Sequence, residues 1–167
     1  LKTIKKFQEL NEINKTILLI PKENYKEEIE KAIKQSKIKI KEVFYYDSDP
    51  TKLTKQIEEI TKYYGRKQNL EDEIKRLKKS NEKNKEKKIK NLEKRDTLGK
   101  VNFDSVIISD FDESLKSITT SLLYTDVSPK KIYFITLNQW FDESLLIEKN
   151  LQPIYFPSIN KENYNKF

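Results

Sequence analysis

Thr16-Ile17-Leu18-Leu19-Ile20, closed by Pro21, is the stretch on which the fold turns. A continuous apolar run of this length, without polar alternation, suits a strand buried on both faces, and such strands belong to parallel sheets. Proline donates no hydrogen bond to a ladder, so Pro21 marks the end of that strand. Upstream, Leu1, Ile4, Phe7 (or Gln8) and Leu10 recur at near-helical spacing, and residues 1–14 read as an amphipathic lead-in helix. Downstream, Glu23 to Lys37 places Ile29, Ala32 and Ile33 on one helical face, and Ile38 to Tyr46 reads as a second strand. Asp47-Ser48-Asp49-Pro50 is a turn that also caps a third helix, striped by Leu53, Ile57 and Ile60 and closed by Gly65.

The same rhythm returns after residue 103. Asp104 to Asp110 reads as a third strand with Val106, Ile107 and Ile108 at its centre, and Asp112 to Tyr124 as a helix with Leu115, Ile118 and Leu122 inward. Ser128-Pro129 is a turn, Lys131 to Leu137 a fourth strand, Phe141 to Lys149 a short helix, and Ile154-Tyr155-Phe156 a fifth strand before Pro157. Such alternation predicts an α/β fold, a Rossmann-like parallel five-stranded sheet flanked by helices. Between its halves lies a charged segment with Leu70, Ile74 and Leu77, a polar gap through residues 80–85, then Ile89 and Leu92. That gap predicts a helical hairpin and not one continuous heptad. The expected organisation is a lead-in helix (1–14), the first part of the α/β lobe (15–66), a basic hairpin insertion (67–98), the second part of the lobe (99–160) and a tail (161–167).

Composition narrows the chemistry. The 167 residues suffice for one ordinary domain. They contain no cysteine and no histidine, which removes thiol nucleophiles, Cys/His zinc sites and serine–histidine triads within this chain. Neither a GxGxxG nor a GxxxxGK[ST] pattern is present, and Asp47-Ser48-Asp49 lacks the glycine and distal glutamate of a calcium loop, so no cofactor or metal is expected. No run approaches the roughly 18 apolar residues of a membrane span. The formal charge is +7, and Arg66 to Arg95 holds 13 of the 34 basic and 6 of the 27 acidic side chains, leaving 21 of each elsewhere. The whole excess therefore sits on the hairpin. No aromatic residue lies between Tyr64 and Phe103 to stack on bases, so nucleic acid is not the expected partner. A solvated hairpin surface is the simpler account of its lysines. The chain starts at Leu1 and lacks methionine, so it reads as a segment of a longer protein.

In open parallel sheets, ligands approach beyond the carboxyl ends of the strands. The residues expected there are Asn24 and Tyr25 after strand one, Asp47 and Asp49 after strand two, Ser109, Asp110 and Asp112 after strand three, and Asn138 with Trp140 after strand four. An Asp at a strand end more often caps the next helix than does chemistry. Asp112, opening a helix with Ser114, fits the capping role, which leaves Asp110 as the better ligand residue. Asp112-Glu113 and Asp142-Glu143 both stand at helix starts, where carboxylates meet the positive end of the dipole. Trp140, the sole tryptophan, reads as an apolar anchor or a stacking platform.

In this order the segments resemble the second lobe of type I periplasmic-binding proteins. The closest resemblance is to the alphaproteobacterial penicillin-binding protein activators, relatives of the leucine-binding proteins. The residues that carry it are Ile17-Leu18-Leu19-Ile20-Pro21-Lys22-Glu23-Asn24-Tyr25, then Phe44-Tyr45-Tyr46-Asp47-Ser48-Asp49-Pro50, then the charged insertion. Phe103-Asp104-Ser105-Val106-Ile107-Ile108-Ser109-Asp110, Tyr124-Thr125-Asp126-Val127-Ser128-Pro129 and Gln139-Trp140-Phe141-Asp142 follow in the family's order. The family carries glycines where this chain has Lys26, Thr136 and Asn138, and asparagine tolerates the positive φ that a turn at Asn138 would use.

The resemblance implies a non-enzymatic periplasmic lobe, joined to an outer-membrane lipid anchor and a second α/β lobe upstream, that regulates peptidoglycan synthesis. Its ligand residues would be Asn24, Tyr25, Asp47, Ser109, Asp110, Asn138 and Trp140. Its partner would be a penicillin-binding protein (a cell-wall synthase) or a small molecule, with Lys87, Lys88 and Lys90 on the hairpin as the docking surface. Three alternatives stay open at this point. One is the receptor lobe of a leucine-type amino-acid ABC transporter. Another is a Rossmann-like enzyme lobe, such as half of a glycosyltransferase using Asp110 and Asp112. The third is an adaptor whose hairpin is the functional element.

Overall fold

The computed structural model describes residues 1–22, 26–137 and 148–157. Five strands, β1 (Thr16–Pro21), β2 (Glu42–Tyr46), β3 (Ser105–Ile108), β4 (Tyr133–Thr136) and β5 (Ile154–Tyr155), form one sheet in the order β2-β1-β3-β4-β5. Every pairing is parallel: Leu18 faces Val43 on one side and Ile107 on the other, and Ile107 in turn faces Ile135. The described residues thus form a Rossmann-like α/β fold, as the alternation of segments predicts.

All six residues of β1 and all four of β3 are buried, because helices cover both sides of the sheet. Ile17, Leu19, Tyr46, Val106, Ile108 and Phe134 point to the face covered by α3 (Pro50–Ile60) and α6 (Asp112–Tyr124), where Leu53, Ile57, Leu115, Ile118 and Leu122 meet them. Leu18, Ile20, Ile107 and Ile135 point to the other face, packed by Ile4 and Phe7 of α1 (Lys2–Leu10) and by Ile29 and Ile33 of α2 (Lys26–Ser36). Each fully buried Leu or Ile contributes about 1.5–3 kcal/mol by leaving water, so the two faces together dominate stability.

Gln8, not Phe7, is the buried member of that alternative on α1. Its amide donates to Thr16 Oγ1 (2.7 Å) and to Lys39 O (2.9 Å), and its oxygen accepts the Lys39 N–H (3.1 Å). Thr16 Oγ1 also accepts the Ser105 hydroxyl at 2.7 Å, so a satisfied polar chain seals the amino ends of β1 and β3. The clamp on Lys39 explains why the second strand is shorter than its pattern predicts. Ile38 and Ile40 pack on α1 and α2, while the ladder with β1 begins at Glu42.

The basic insertion is a helical hairpin, with α4 (Tyr63–Lys79) packed against α5 (Lys85–Leu92) and a turn between them. Leu70 and Leu77 are buried, and Ile74, Ile89 and Leu92 half-buried. Arg66 ties the hairpin to the lobe. Its buried guanidinium donates to Thr61 O (2.9 Å), Thr97 Oγ1 (3.0 Å) and Thr125 O, and Thr97 donates onward to Asp126 (2.6 Å). One side chain thereby joins the end of α3, the return toward β3 and the corner after α6. Gly99, on that return, adopts φ +110, a conformation that favours glycine.

Two expectations are corrected here. Gly65 does not close the third helix. α3 ends at Ile60, Thr61 bonds back to Ile57 O (2.9 Å), Lys62 turns through φ 51, and Gly65 lies inside the next helix. Asp49 does cap α3, accepting from the amides of Thr51 and Lys52, but Asp112 does not cap α6. Phe111 holds the cap position there, and Asp112 is itself turned to φ 49. The helix expected over Phe141 to Lys149 falls almost wholly outside the described residues; at its end Lys149–Leu151 forms a short 3-10 turn.

An internal helical glycine costs about 1 kcal/mol relative to alanine, and a Cβ at Gly65 would meet nothing within 4 Å. Gly65→Ala is therefore expected to stabilise the protein by roughly 0.5–1 kcal/mol in urea unfolding. Destabilisation would mean that Gly65 is a helix terminator after all.

Candidate functional site

The chain leaves β1 toward α2 on one face and leaves β3 toward α6 on the other. The crevice where connections diverge in this way is where ligands approach an open parallel sheet. Its described walls are the carboxyl ends of β1, β2 and β3. Tyr46 ends β2 with its ring in the α3/α6 core, only 1% exposed, and its hydroxyl donates to Asp110 Oδ2 just beyond β3. Asp110 Oδ1 accepts the Phe111 amide at 2.9 Å. Ser109 donates through Oγ to Leu19 O (2.6 Å), which binds the tip of β3 to β1. The Lys22 amide donates to Tyr46 O (3.0 Å), binding the tips of β1 and β2.

Asp47 continues this rim. Its Oδ1 accepts the Asp49 amide (3.0 Å) and its Oδ2 the Lys52 ammonium (3.2 Å), while its own amide donates to Gln56 Oε1 (2.8 Å). The Asp49 amide, and then Lys52, hold its carboxyl below the ordinary 3.8. Beside it, Tyr46, Ser48, Leu53, Glu113, Ser114 and Ser117 line a small cavity of about 190 Å³ between α3 and α6. Phe111 stands at the same rim with 43% of its surface exposed.

Of the residues expected to face a ligand, the structure thus brings Asp47, Ser109 and Asp110 to one edge. Asn24, Tyr25, Asn138 and Trp140 lie outside the described residues. Tyr46 was not among them. Its pattern reads as ordinary strand filling, and only the fold reveals that its hydroxyl reaches across the end of β1 to Asp110. On the hairpin, Lys88 donates to Glu82 at 2.6 Å within a network that includes Arg76 and Glu73, whereas Lys87 and Lys90 stand exposed. Among the described residues, no group of three His, Cys, Asp or Glu is placed to hold a metal ion, and no helix is long and apolar enough to cross a membrane.

No protein-family model, curated protein or solved structure matches the chain.

Burial, then the Asp110 carboxylate to which it donates, push the Tyr46 hydroxyl far above its ordinary value of 10.0. The folded protein thus holds this proton more tightly than the unfolded chain does. The resulting stability is fully present below pH 10.0 and is lost as pH rises above it. Tyr46→Phe is expected to cost about 1 kcal/mol at neutral pH and to flatten the fall of stability above pH 10. Chemical unfolding across alkaline pH checks this, and parallel alkaline limbs for the two proteins would contradict it.

Proposed function

We propose that the chain is a non-enzymatic ligand-binding lobe of a penicillin-binding protein activator, built like a type I periplasmic-binding protein and acting in the control of peptidoglycan synthesis. In this reading a second lobe encoded upstream supplies the facing wall of the cleft, and a lipid anchor holds the whole at the outer membrane on its periplasmic side. The proposal rests on the ordered resemblance of segments and on one observation. Tyr46, Asp47, Ser109 and Asp110 gather at the carboxyl ends of adjacent parallel strands, where the connections diverge. In sequence, Asn24 and Tyr25 follow β1, and Asn138 and Trp140 follow β4.

The geometry favours binding over catalysis. Asp110 already accepts from a tyrosine hydroxyl and a backbone amide, an arrangement that steadies an acceptor. Two carboxylate oxygens have room for about four hydrogen bonds, so Asp110 retains capacity for a donor such as a ligand's amino group. Ser109 spends its proton on Leu19 O and offers lone pairs only. The rim therefore suits an amine-bearing ligand, an amino acid or a peptide from the cell wall. Lys87 and Lys90, with Lys88 held by Glu82, form the proposed docking face for the synthase.

The fluorescence of Trp140, the only tryptophan, and titration calorimetry provide the test, with free amino acids, wall peptides and nucleotide sugars as ligands. Saturable binding of an amine-bearing ligand is expected, weakened about tenfold or more by Asp110→Asn. Binding confined to nucleotide sugars, or indifferent to Asp110→Asn, would contradict the proposal. Reversing Lys87, Lys88 and Lys90 to Glu is expected to reduce capture of the synthase. Unchanged capture removes the hairpin from the docking surface.

A further inference from the structure

A cavity of about 690 Å³ lies at the opposite end of the sheet, where the hairpin rejoins the lobe. Its volume is that of a small-molecule site. The floor is apolar: Phe103 and Val127 are buried there, and Ile132 is half-buried. The walls are cationic. Arg66, Arg95, Lys100 and Lys131 line the cavity against two carboxylates, Asp104 and Asp126.

Two features make this charge available. Arg66 is 6% exposed and donates to two carbonyls and a hydroxyl, with no carboxylate at ion-pair distance among the described residues. Asp126, which accepts from Thr97, compensates the Arg66 charge through space without a direct ion pair. The side chains of Arg95, Lys100 and Lys131 are exposed and have no hydrogen-bond or ion-pair partner among the described residues. On the hairpin, Arg76 pairs with Glu73 and Glu82, and Lys88 with Glu82; what sets Arg95, Lys100 and Lys131 apart from other exposed cations is their convergence on one cavity. The unmatched positive charge thus surrounds a concave apolar surface, where low-dielectric walls strengthen its pull on an anion.

We propose that this cavity is a second ligand site, separate from the strand-tip rim, that binds an organic anion with an apolar or aromatic body. The body lies on Phe103, Val127 and Ile132, and the acid group faces Arg95, Lys100 and Lys131, with the buried Arg66 charge behind. Because the return segment from α5 forms one wall, an occupant bridges the hairpin and the lobe.

Anilinonaphthalene sulfonate is a suitable probe, since it joins an aromatic body to one fixed negative charge; N-phenylnaphthylamine is its uncharged counterpart. The full chain is expected to bind the sulfonate at one saturable class of sites, more weakly at high salt, and to bind the uncharged amine at least about tenfold less tightly. Reversing Arg95, Lys100 and Lys131 to Glu, all exposed positions, is expected to weaken the sulfonate about tenfold or more with the circular dichroism spectrum unchanged. Two controls separate this site from the others. Asp110→Asn at the strand-tip rim, and Glu at Lys87, Lys88 and Lys90 on α5, are each expected to leave sulfonate binding as it was. The proposal is overturned if the Arg95, Lys100 and Lys131 variant binds like the parent, if the amine binds as tightly as the sulfonate, if binding fails to saturate, or if Asp110→Asn alone abolishes it. Because the rim is tested with amine ligands and this cavity with an anion, either site can fail without the other.

Discussion

A strand with no exposed residue has no water for its peptide groups, so every N–H and C=O of β1 must be paired with protein. Ladders on both sides meet that demand, with β2 along one edge and β3 along the other. Burial on both faces then requires helices above and below, since each face of β1 presents only apolar side chains after Thr16. With β1 held between β2 and β3, the chain must depart from β1 and β3 toward opposite faces. The polar rim at the tips of β1, β2 and β3 is thus a consequence of burying β1. The same constraint puts Tyr46 within reach of Asp110, because only the width of one strand separates the ends of β2 and β3.

Arg66 performs a comparable task for the insertion. A buried guanidinium without a direct carboxylate partner is costly, and here desolvation lowers its pKa below the ordinary arginine value. Its contacts with Thr61, Thr97 and Thr125 satisfy donors and acceptors from three separate parts of the chain. The Leu98 amide also returns to Arg66 O at 2.9 Å, so the backbone shares in the joint. α4 must begin early enough to carry Arg66 into this position, and Gly65 is consequently absorbed into its first turn. The hairpin is anchored at its base by a polar network, while leucine packing holds its two helices together.

Much of the fold was legible because burial leaves a period in the sequence. The apolar runs at Ile17–Ile20 and Val106–Ile108 and the stripe Leu115, Ile118, Leu122 lie where their patterns place them. The polar gap at 80–85 does coincide with a turn. The pattern misleads where one residue type serves two purposes. Glycine ends helices but is tolerated inside them, and nothing local distinguishes Gly65 from a terminator. Asp112 looked like a cap because its composition is that of one, whereas Asp110 instead engages the Phe111 amide and the Tyr46 hydroxyl. Tyr46 itself carried no signal, since its partner lies 64 positions away. The hairpin-base cavity was equally hidden. Its cations belong to three separate segments, and only their convergence distinguishes them from ordinary surface charge.

Two ends of one sheet thus acquire different characters. The carboxyl end is polar and acidic, formed by Asp47, Ser109 and Asp110, and the hairpin-facing end is cationic over an apolar floor. All of this depends on the strand tips sharing one rim, and the cysteine-free chain allows a direct measurement of that arrangement. Spin labels on cysteines introduced as pairs at Lys22 and Phe111, and at Lys22 and Asn102, occupy exposed positions flanking β1 and β3. Electron–electron resonance should place Lys22 near Phe111 and far from Asn102, with a difference on the order of 20 Å for about nine residues of extended chain. If Lys22 instead lies nearer Asn102 than Phe111, β1 and β3 run antiparallel, and neither the rim nor the site built on it exists.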